Sequence, residues 1–255
     1  MSNRMPVLFI GHGSPMNAVE NNEFTETWRT LAGNVSRPSA ILSISAHWFT
    51  DGEKIQTAPH PRQVYDMYGF PQELYNVRYP AAGKPELAEK VLKLVHTPVS
   101  ADNSWGIDHG TWAVLCRMYP AADIPVVQLS VNRSASLQNQ FELGRELAPL
   151  RNDDILILAS GNIVHNLGMI DWNKLDGFGW ADSFDETVRD AVLAEDVQSV
   201  MNAASSGKDA RLAVPTPDHF MPLLYALGAA GSDKPVVFND ARTLGSLSMT
   251  GFIFG

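Results

Sequence analysis

The stretch that decides the fold is Val7-Leu8-Phe9-Ile10-Gly11-His12-Gly13, in which four consecutive apolar residues lead into a glycine-flanked histidine. An apolar run without alternation is typical of a strand that is buried on both faces. Four further short runs, bounded by Gly, Pro or Ser, predict strands of the same kind at residues 40–45, 126–131, 155–159 and 236–239. Residues 246–254 predict a last strand, at an edge of the sheet.

Stretches with helical periodicity lie between these runs, at residues 23–31, 85–95, 111–119, 136–147, 183–203 and 217–227. Pro85 and Pro217 suit the first turn of a helix. Buried strands that alternate with helices predict an α/β fold, with a mostly parallel central sheet and helices on both faces. The 255 residues are 45% hydrophobic and 18% charged, which favours one domain over residues 1–255, of a size usual for enzymes. The sequence has no repeats and no long linkers.

Composition also excludes several classes of protein. The net charge is −9 and the basic residues are scattered, which disfavours nucleic acid as a partner. Every apolar run is far shorter than the roughly 18 to 20 residues of a membrane-spanning helix, so we expect no membrane association and a cytoplasmic location. The one cysteine, Cys116, is expected to be a buried core thiol. The oligomeric state is left open by the sequence.

Three sequence motifs that bind cofactors or supply a nucleophile are missing. The run from Gly11 to Met16 begins like a dinucleotide-binding turn, but Met16 stands where the third glycine belongs and Pro15 disrupts the turn. No Walker phosphate loop is present. No G-x-S-x-G elbow is present either, which disfavours serine hydrolysis.

Four histidines occupy informative places. His12 and His47 follow predicted strands after one residue, His165 follows the strand at 155–159, and His219 lies in a turn stiffened by Pro215 and Pro217. The carboxyl ends of parallel strands meet at one edge of a sheet, where ligands bind in open α/β folds. Because imidazole is a common ligand of divalent transition metals, this convergence predicts a site for one such ion, and it disfavours magnesium and calcium.

His109 lies in the glycine-flanked loop 105–110. Such a loop can position an acid or base, with Asp108 orienting the ring. An alternative is that Asp108 or Thr111 only caps the following helix. Aromatic residues also crowd residues 65–79 and 172–180, where they either wall a pocket for a flat ligand or anchor loops.

Five motifs together resemble a known family. They are Leu8-Phe9-Ile10-Gly11-His12-Gly13-Ser14-Pro15-Met16, Ser43-Ile44-Ser45-Ala46-His47-Trp48, Asp108-His109-Gly110-Thr111-Trp112, Ala159-Ser160-Gly161-Asn162-Ile163-Val164-His165-Asn166-Leu167 and Pro217-Asp218-His219-Phe220. In this order they resemble the LigB-type class III extradiol ring-cleavage dioxygenases, and within them the 4,5-DOPA extradiol dioxygenase group. The resemblance covers nearly the whole chain.

The resemblance implies a metal centre with His12, His47 and His219 as ligands, although His219 stands where better-studied relatives supply a glutamate. It implies that His165 acts as acid or base, or as a fourth ligand, and that His109 positions substrate or moves protons. The expected metal for catalysis is non-haem Fe(II), although Zn(II) can occupy an all-imidazole site. The implied substrates are O2 and a catechol such as 3,4-dihydroxyphenylalanine (DOPA).

Two other functions would use the same histidines. A zinc hydrolase would lower the pKa of a bound water to about 7 and would need no redox change. A structural or storage site would close the coordination sphere with four histidines and leave no position for substrate.

Overall fold

The structure, a computed structural model, describes residues 4–205 and 207–255. The strands of the described chain are β1 (Val7–Gly11), β2 (Ala40–Thr50), β3 (Glu53–Ile55), β4 (Val99–Ala101), β5 (Val126–Asn132), β6 (Ile155–Gly161), β7 (Pro235–Phe238), β8 (Arg242–Thr243), β9 (Leu247–Ser248) and β10 (Gly251–Phe254). The α-helices are α1 (Glu23–Asn34), α2 (Gln72–Asn76), α3 (Pro85–Leu94), α4 (His109–Met118), α5 (Leu137–Leu147), α6 (Gly179–Leu193), α7 (Val197–Ser205), α8 (Lys208–Ala213) and α9 (Met221–Ala230). Short 3₁₀ turns cover Pro15–Ala18, Ala148–Asp153 and Leu167–Met169.

Eight strands form the main sheet in the order β4-β3-β5-β2-β6-β1-β10-β7. The central four, β5, β2, β6 and β1, run parallel to one another. Strand β10 joins β1 and β7 in antiparallel pairs. The predicted α/β fold with a mostly parallel sheet is therefore confirmed. The prediction of a C-terminal edge strand is wrong, because β10 lies inside the sheet and β7 forms the edge.

The two faces of the sheet carry separate hydrophobic clusters. Val7 and Phe9 of β1 point into a cluster built with α5, α6 and α9. Leu8 and Ile10, on the opposite face, pack with Trp28 of α1 and with α4. All four side chains of the run are buried because helices cover both faces, which confirms the interpretation of its unbroken apolar character.

Two predicted helices have different bounds in the structure. The helix predicted at 183–203 is divided into α6 and α7, because Glu195 has a left-handed backbone (φ 58°) and Asp196 accepts a hydrogen bond from the backbone N–H of Ser199 (2.9 Å) at the start of α7. The helix predicted from Pro217 begins instead at Met221, with Pro222 in its first turn. This shift leaves His219 in the turn that precedes α9.

Cys116 is half-buried, not fully buried as predicted, and it packs against the hydrophobic cluster that contains Leu8 and Ile10. Burial raises the pKa of its thiol to about 12. None of the described helices is both long and apolar enough to cross a lipid bilayer.

Candidate metal centre

Five histidines meet at the carboxyl edge of the parallel strands and line one cavity of about 520 Å³. They are His12, His47, His109, His165 and His219. The structure thus brings together every histidine predicted for the site. His60 and His96, for which no role was predicted, are exposed.

His12 is held at the end of β1 by backbone pairing with β6. Its N–H donates to the carbonyl of Gly161 (3.1 Å), which extends the β1–β6 ladder by one residue. A side chain at Gly11 would meet the backbone of Met249 at 2.7 Å, so only glycine allows the chain to pass here. The strand therefore delivers the imidazole into the cavity from a rigid element.

His47 lies within β2, whereas the sequence predicted that the strand ends at Ser45. The pairing of β2 with β5 changes register between Ile44 and Phe49, which is a bulge in β2. A bulge redirects side chains beside a site without ending the strand. Gly110 is required beside it, since a Cβ there would lie 2.8 Å from the His47 ring.

The other three histidines come from loops and helix starts. His109 is the first residue of α4, His165 follows β6, and His219 precedes α9. The carbonyl of His219 accepts a hydrogen bond from the N–H of Asn162 (2.9 Å), which ties this turn to the end of β6.

Outer carboxylates and a hydroxyl orient the imidazoles. Ser160 Oγ donates its proton to the carbonyl of Gly110, so it must accept the hydrogen bond from His12 Nδ1 (3.0 Å). Asp218 pairs with His219 Nδ1. With Nδ1 occupied by the proton, Nε2 of each of these rings keeps its lone pair for a metal.

Asp66 contacts two histidines at once. Its carboxylate oxygens lie 3.1 Å from His47 Nδ1 and 3.0 Å from His109 Nδ1, although neither contact is aligned as a hydrogen bond. Oδ1 also accepts a hydrogen bond from the backbone N–H of His109 (3.0 Å). The sequence analysis missed Asp66, and its only signal was its place in the aromatic-rich segment 65–79.

Asp108 does not orient His109, contrary to one of the two interpretations offered for that loop. Its buried carboxylate accepts hydrogen bonds from Ser45 Oγ (2.7 Å), Trp105 Nε1 (3.0 Å) and the Gln128 amide. Nor does its side chain cap α4. Burial raises the pKa of Asp108, and the neighbouring Asp66 raises it further.

Burial keeps most of the cluster neutral. It lowers the pKa of His12, His109 and His219, and the neighbouring imidazoles lower it further. Burial also lowers the pKa of His165, to about 4. Burial opposes a charge on His47 too, but Asp66 and Asp108 outweigh it and raise the pKa of that ring. Although burial disfavours its charge, contact with His109 and His47 lowers the pKa of Asp66.

The arrangement fits a metal ion. The Nε2 atoms of His12 and His47 lie 3.1 Å apart, so a proton or a cation must separate their lone pairs. His219 Nε2 is buried without a hydrogen-bond partner. Two groups have ligand atoms within 4.8 Å of one another and could hold a metal: His12, His47 and His109, and His165, Asp218 and His219. The ligands predicted from the sequence are divided between these groups: His12 and His47 are in the first, and His219 and His165 are in the second.

The positions of the imidazole rings show which histidines of the two groups lie next to one another. The centroids of His12, His47 and His219 form a nearly equilateral triangle, with sides of 5.0, 4.9 and 5.3 Å. His109 packs beside His47 (3.9 Å). His165 stacks on His219, with centroids 3.4 Å apart and planes 5° from parallel.

Comparison with known proteins identifies the family of this chain. Residues 6–255 match the family described as the catalytic LigB subunit of aromatic ring-opening dioxygenase. The chain is 44% identical to a 4,5-DOPA dioxygenase extradiol of Escherichia coli K12, over 97% of this chain and 94% of that protein. It is 38% identical to a protein of the same name from Beta vulgaris, over 89% of this chain and 87% of that one.

A solved structure of an uncharacterized protein from Escherichia coli K12 has the same fold. Its TM-score is 0.86 at 40% identity, and the alignment covers 99% of this chain and all of that chain. The chain described here belongs to the LigB family of aromatic ring-opening dioxygenases.

Proposed function

We propose that this dioxygenase cleaves catechols beside the diol, as an extradiol enzyme, with a single Fe(II) held by His12, His47 and His219. The observation that carries the proposal is the triangle of these three rings, since each has an oxygen atom at Nδ1 and faces the cavity. DOPA, which appears in the names of two relatives, is the first catechol to test. Histidine ligands to metals ordinarily have such an outer partner.

When bound, the metal would supply the redox chemistry and the point at which the catechol diol meets O2. Both oxygen atoms of O2 enter the ring-opened product. The protein's own contribution is to orient the ring, to handle protons and to limit access of water.

We assign the acid–base role to His165 rather than a place among the ligands. A ligated metal lies near the plane of its imidazole, about 2.0 to 2.1 Å from the nitrogen. Because the His165 and His219 rings are parallel and stacked at 3.4 Å, their nitrogen lone pairs lie in separate planes, and a metal held by His219 would not be shared with His165. His165 is therefore free to accept a proton from a catechol hydroxyl, for which a neutral imidazole is suited.

His109 would take part in proton transfer on the side of the proposed ligands opposite His165. It packs beside His47, whereas His165 packs beside His219, so the two rings flank the ligands at different places. Asp66 links His109 to the ligand His47 and can stabilise a proton on His109 during turnover. We assign to His109 the donation of a proton during ring opening.

We also propose that the chain forms one catalytic domain. The site takes His12 from the first strand and His219 from the turn before the last helix, with the main sheet between them. A division of the chain at any point between these residues would separate the ligands.

The test is to remove metal under argon, to reload the protein with Fe(II) or Zn(II), and to record O2 uptake and product absorbance with DOPA. We expect O2 uptake and a yellow ring-opened product with Fe(II) and neither with Zn(II). If the Fe(II) protein takes up no O2 with any catechol at full occupancy, extradiol cleavage is wrong. If the Zn(II) protein instead hydrolyses an added ester or amide under argon, the alternative of a zinc hydrolase is favoured.

A further inference from the structure

A carboxylate buried outside the cavity wall is bound to the strand that runs beside His165. Asp185 of α6 is fully buried, and it accepts hydrogen bonds from the hydroxyl of Ser248, in β9, and from that of Thr250 (2.7 Å). It also pairs with Arg242 of β8 (3.2 Å). A buried charge is stable only where such partners satisfy it, so these contacts hold β8 and β9 in one position against α6.

Strand β9 in turn holds the backbone on both sides of His165. The N–H of Ser248 donates a hydrogen bond to the carbonyl of Val164 (3.0 Å). The N–H of Asn166 donates to the carbonyl of Ser246 (3.1 Å), and the hydroxyl of Ser246 donates to the carbonyl of Asn166 (2.8 Å). The residue before His165 and the residue after it are therefore both fixed to β9 or to the residue that precedes β9.

The direction of the His165 ring depends on this backbone. Leu247 of β9 forms an antiparallel bridge with His165, and both residues line the cavity. The N–H of His165 donates to the carbonyl of Ala213, at the end of α8 (2.9 Å), and its ring stacks on that of His219. A shift of β9 would therefore move the His165 ring relative to the proposed metal ligands and to a substrate bound beside them.

We propose that Asp185 is a positioning residue for ring cleavage: through Ser248 and Thr250 it fixes β9, and β9 holds His165 in place at the substrate. This inference rests on the acid–base role proposed for His165. A general acid or base must lie within hydrogen-bond reach of the proton that it transfers, and a displacement of about 1 Å can lower a rate by about 100-fold. Asp185 itself does not line the cavity, so its effect on the reaction passes through the strand.

Removal of a single hydroxyl tests this role without removal of the buried charge. Thr250→Val deletes one hydrogen bond to Asp185 with little change of side-chain volume, and Thr250→Ser keeps the hydroxyl. In the Fe(II)-loaded protein with DOPA, we expect kcat to fall by about tenfold in Thr250→Val and to recover in Thr250→Ser, with iron content unchanged in both. Ser248→Ala deletes the other hydroxyl and should lower kcat in the same way.

Tyr225→Phe is the matched control, because it also removes a hydroxyl from a buried carboxylate. That carboxylate belongs to Glu53 of β3, and neither Tyr225 nor Glu53 lines the cavity. We expect Thr250→Val and Tyr225→Phe both to unfold at a lower urea concentration than the unaltered protein, but kcat to fall in Thr250→Val alone. If Asp185 served stability alone, kcat would be unchanged in both variants.

NMR of the histidine rings detects a change at His165 without turnover. In the Zn(II)-loaded protein with isotopically labelled histidine, the His165 signals are those that disappear in the His165→Gln variant. We expect these signals to shift in Thr250→Val and in Ser248→Ala, and to stay in place in Tyr225→Phe.

The two measurements separate failure of this inference from failure of the proposed function. If the His165 signals shift as expected but the unaltered Fe(II) protein turns over no catechol, Asp185 still positions His165 and only the proposed function is wrong. If the unaltered protein is active but kcat is unchanged in Thr250→Val and Ser248→Ala, the inference is wrong although the dioxygenase activity stands. An equal fall of kcat in Tyr225→Phe would also contradict it, because lost stability would then account for every variant.

Discussion

The imidazole of His165 lies flat on that of His219, with ring centroids 3.4 Å apart and planes 5° from parallel. This contact supports the acid–base role proposed above for His165 over a place among the metal ligands. Because the two parallel rings direct their nitrogen lone pairs within separate planes, we expect only one of them to hold the metal and the other to remain available to the substrate. His219 has its Nδ1 held by Asp218, which favours it as the ligand.

Substitution of His219 and His165 should therefore have different effects on metal content. We expect His219→Ala to lose bound iron and activity together. His165→Gln should keep stoichiometric iron while kcat falls by about 10²- to 10⁴-fold, because a general acid or base has been removed. Elemental analysis of the purified, reloaded proteins measures the first effect. His96→Ala, at an exposed position, is the control, and iron loss from His165→Gln would show that His165 is a ligand.

His109 offers a second test of the ligand set. We expect His109→Ala to retain iron and to lose turnover, because its ring contacts Asp66 and packs beside His47 rather than completing the triangle. Iron content and single-turnover product formation are measured on the same sample. The opposite pattern, with iron lost in His109→Ala and kept in His219→Ala, would mean that the metal is held by His12, His47 and His109.

Asp66 is a positioning residue, since it acts through His47 and His109. Asp66→Asn keeps an oxygen that can accept from the His109 backbone but removes the negative charge. We expect metal affinity to fall by about 10- to 100-fold, as for other outer partners of metal ligands. Competition with a chelator measures this affinity without catalysis. Asp51→Asn, whose side chain is 76% exposed, should match the unaltered protein, and an unchanged affinity in Asp66→Asn would remove Asp66 from the metal centre.

Glu53 links stability to pH away from the site. Burial raises the pKa of Glu53 to about 7, although a hydrogen bond from Tyr225 (3.2 Å) opposes the shift. Between its unfolded pKa of about 4.3 and this value, the folded protein binds a proton that the unfolded chain does not. The contribution of Glu53 to stability is therefore present at lower pH and is lost as pH rises through about 7.

Glu53→Gln should remove this dependence. We compare the unfolding free energy of the variant with that of the unaltered protein at each pH. The difference, variant minus unaltered protein, should increase by up to about 3 kcal/mol from pH 4.5 to pH 8. Urea unfolding at several pH values measures the difference. Glu73→Gln, at an exposed position, is the control, and parallel curves for Glu53→Gln and the unaltered protein would contradict the prediction.

Much of the scaffold could be predicted from local sequence. The apolar run of β1 and those of β2, β5 and β6 are long enough and uniform enough that their burial on both faces follows from hydrophobicity alone. Because His12, His47 and His165 lie at or near the carboxyl ends of these runs, their convergence also followed from chain direction. The break after α6 was harder to predict, since one left-handed residue, Glu195, interrupts a pattern that is helical on both sides.

Sequence by itself thus determined the α/β class, the parallel centre of the sheet and four of the five histidines of the site, because these depend on residue type and on short-range order. Tertiary structure alone decided that Asp66 joins His47 to His109, that His165 stacks on His219, and that β10 lies between β1 and β7. Each of these is a contact between residues distant in the chain, and side-chain direction across such a distance is set by packing, bulges and close backbone approaches rather than by any local pattern.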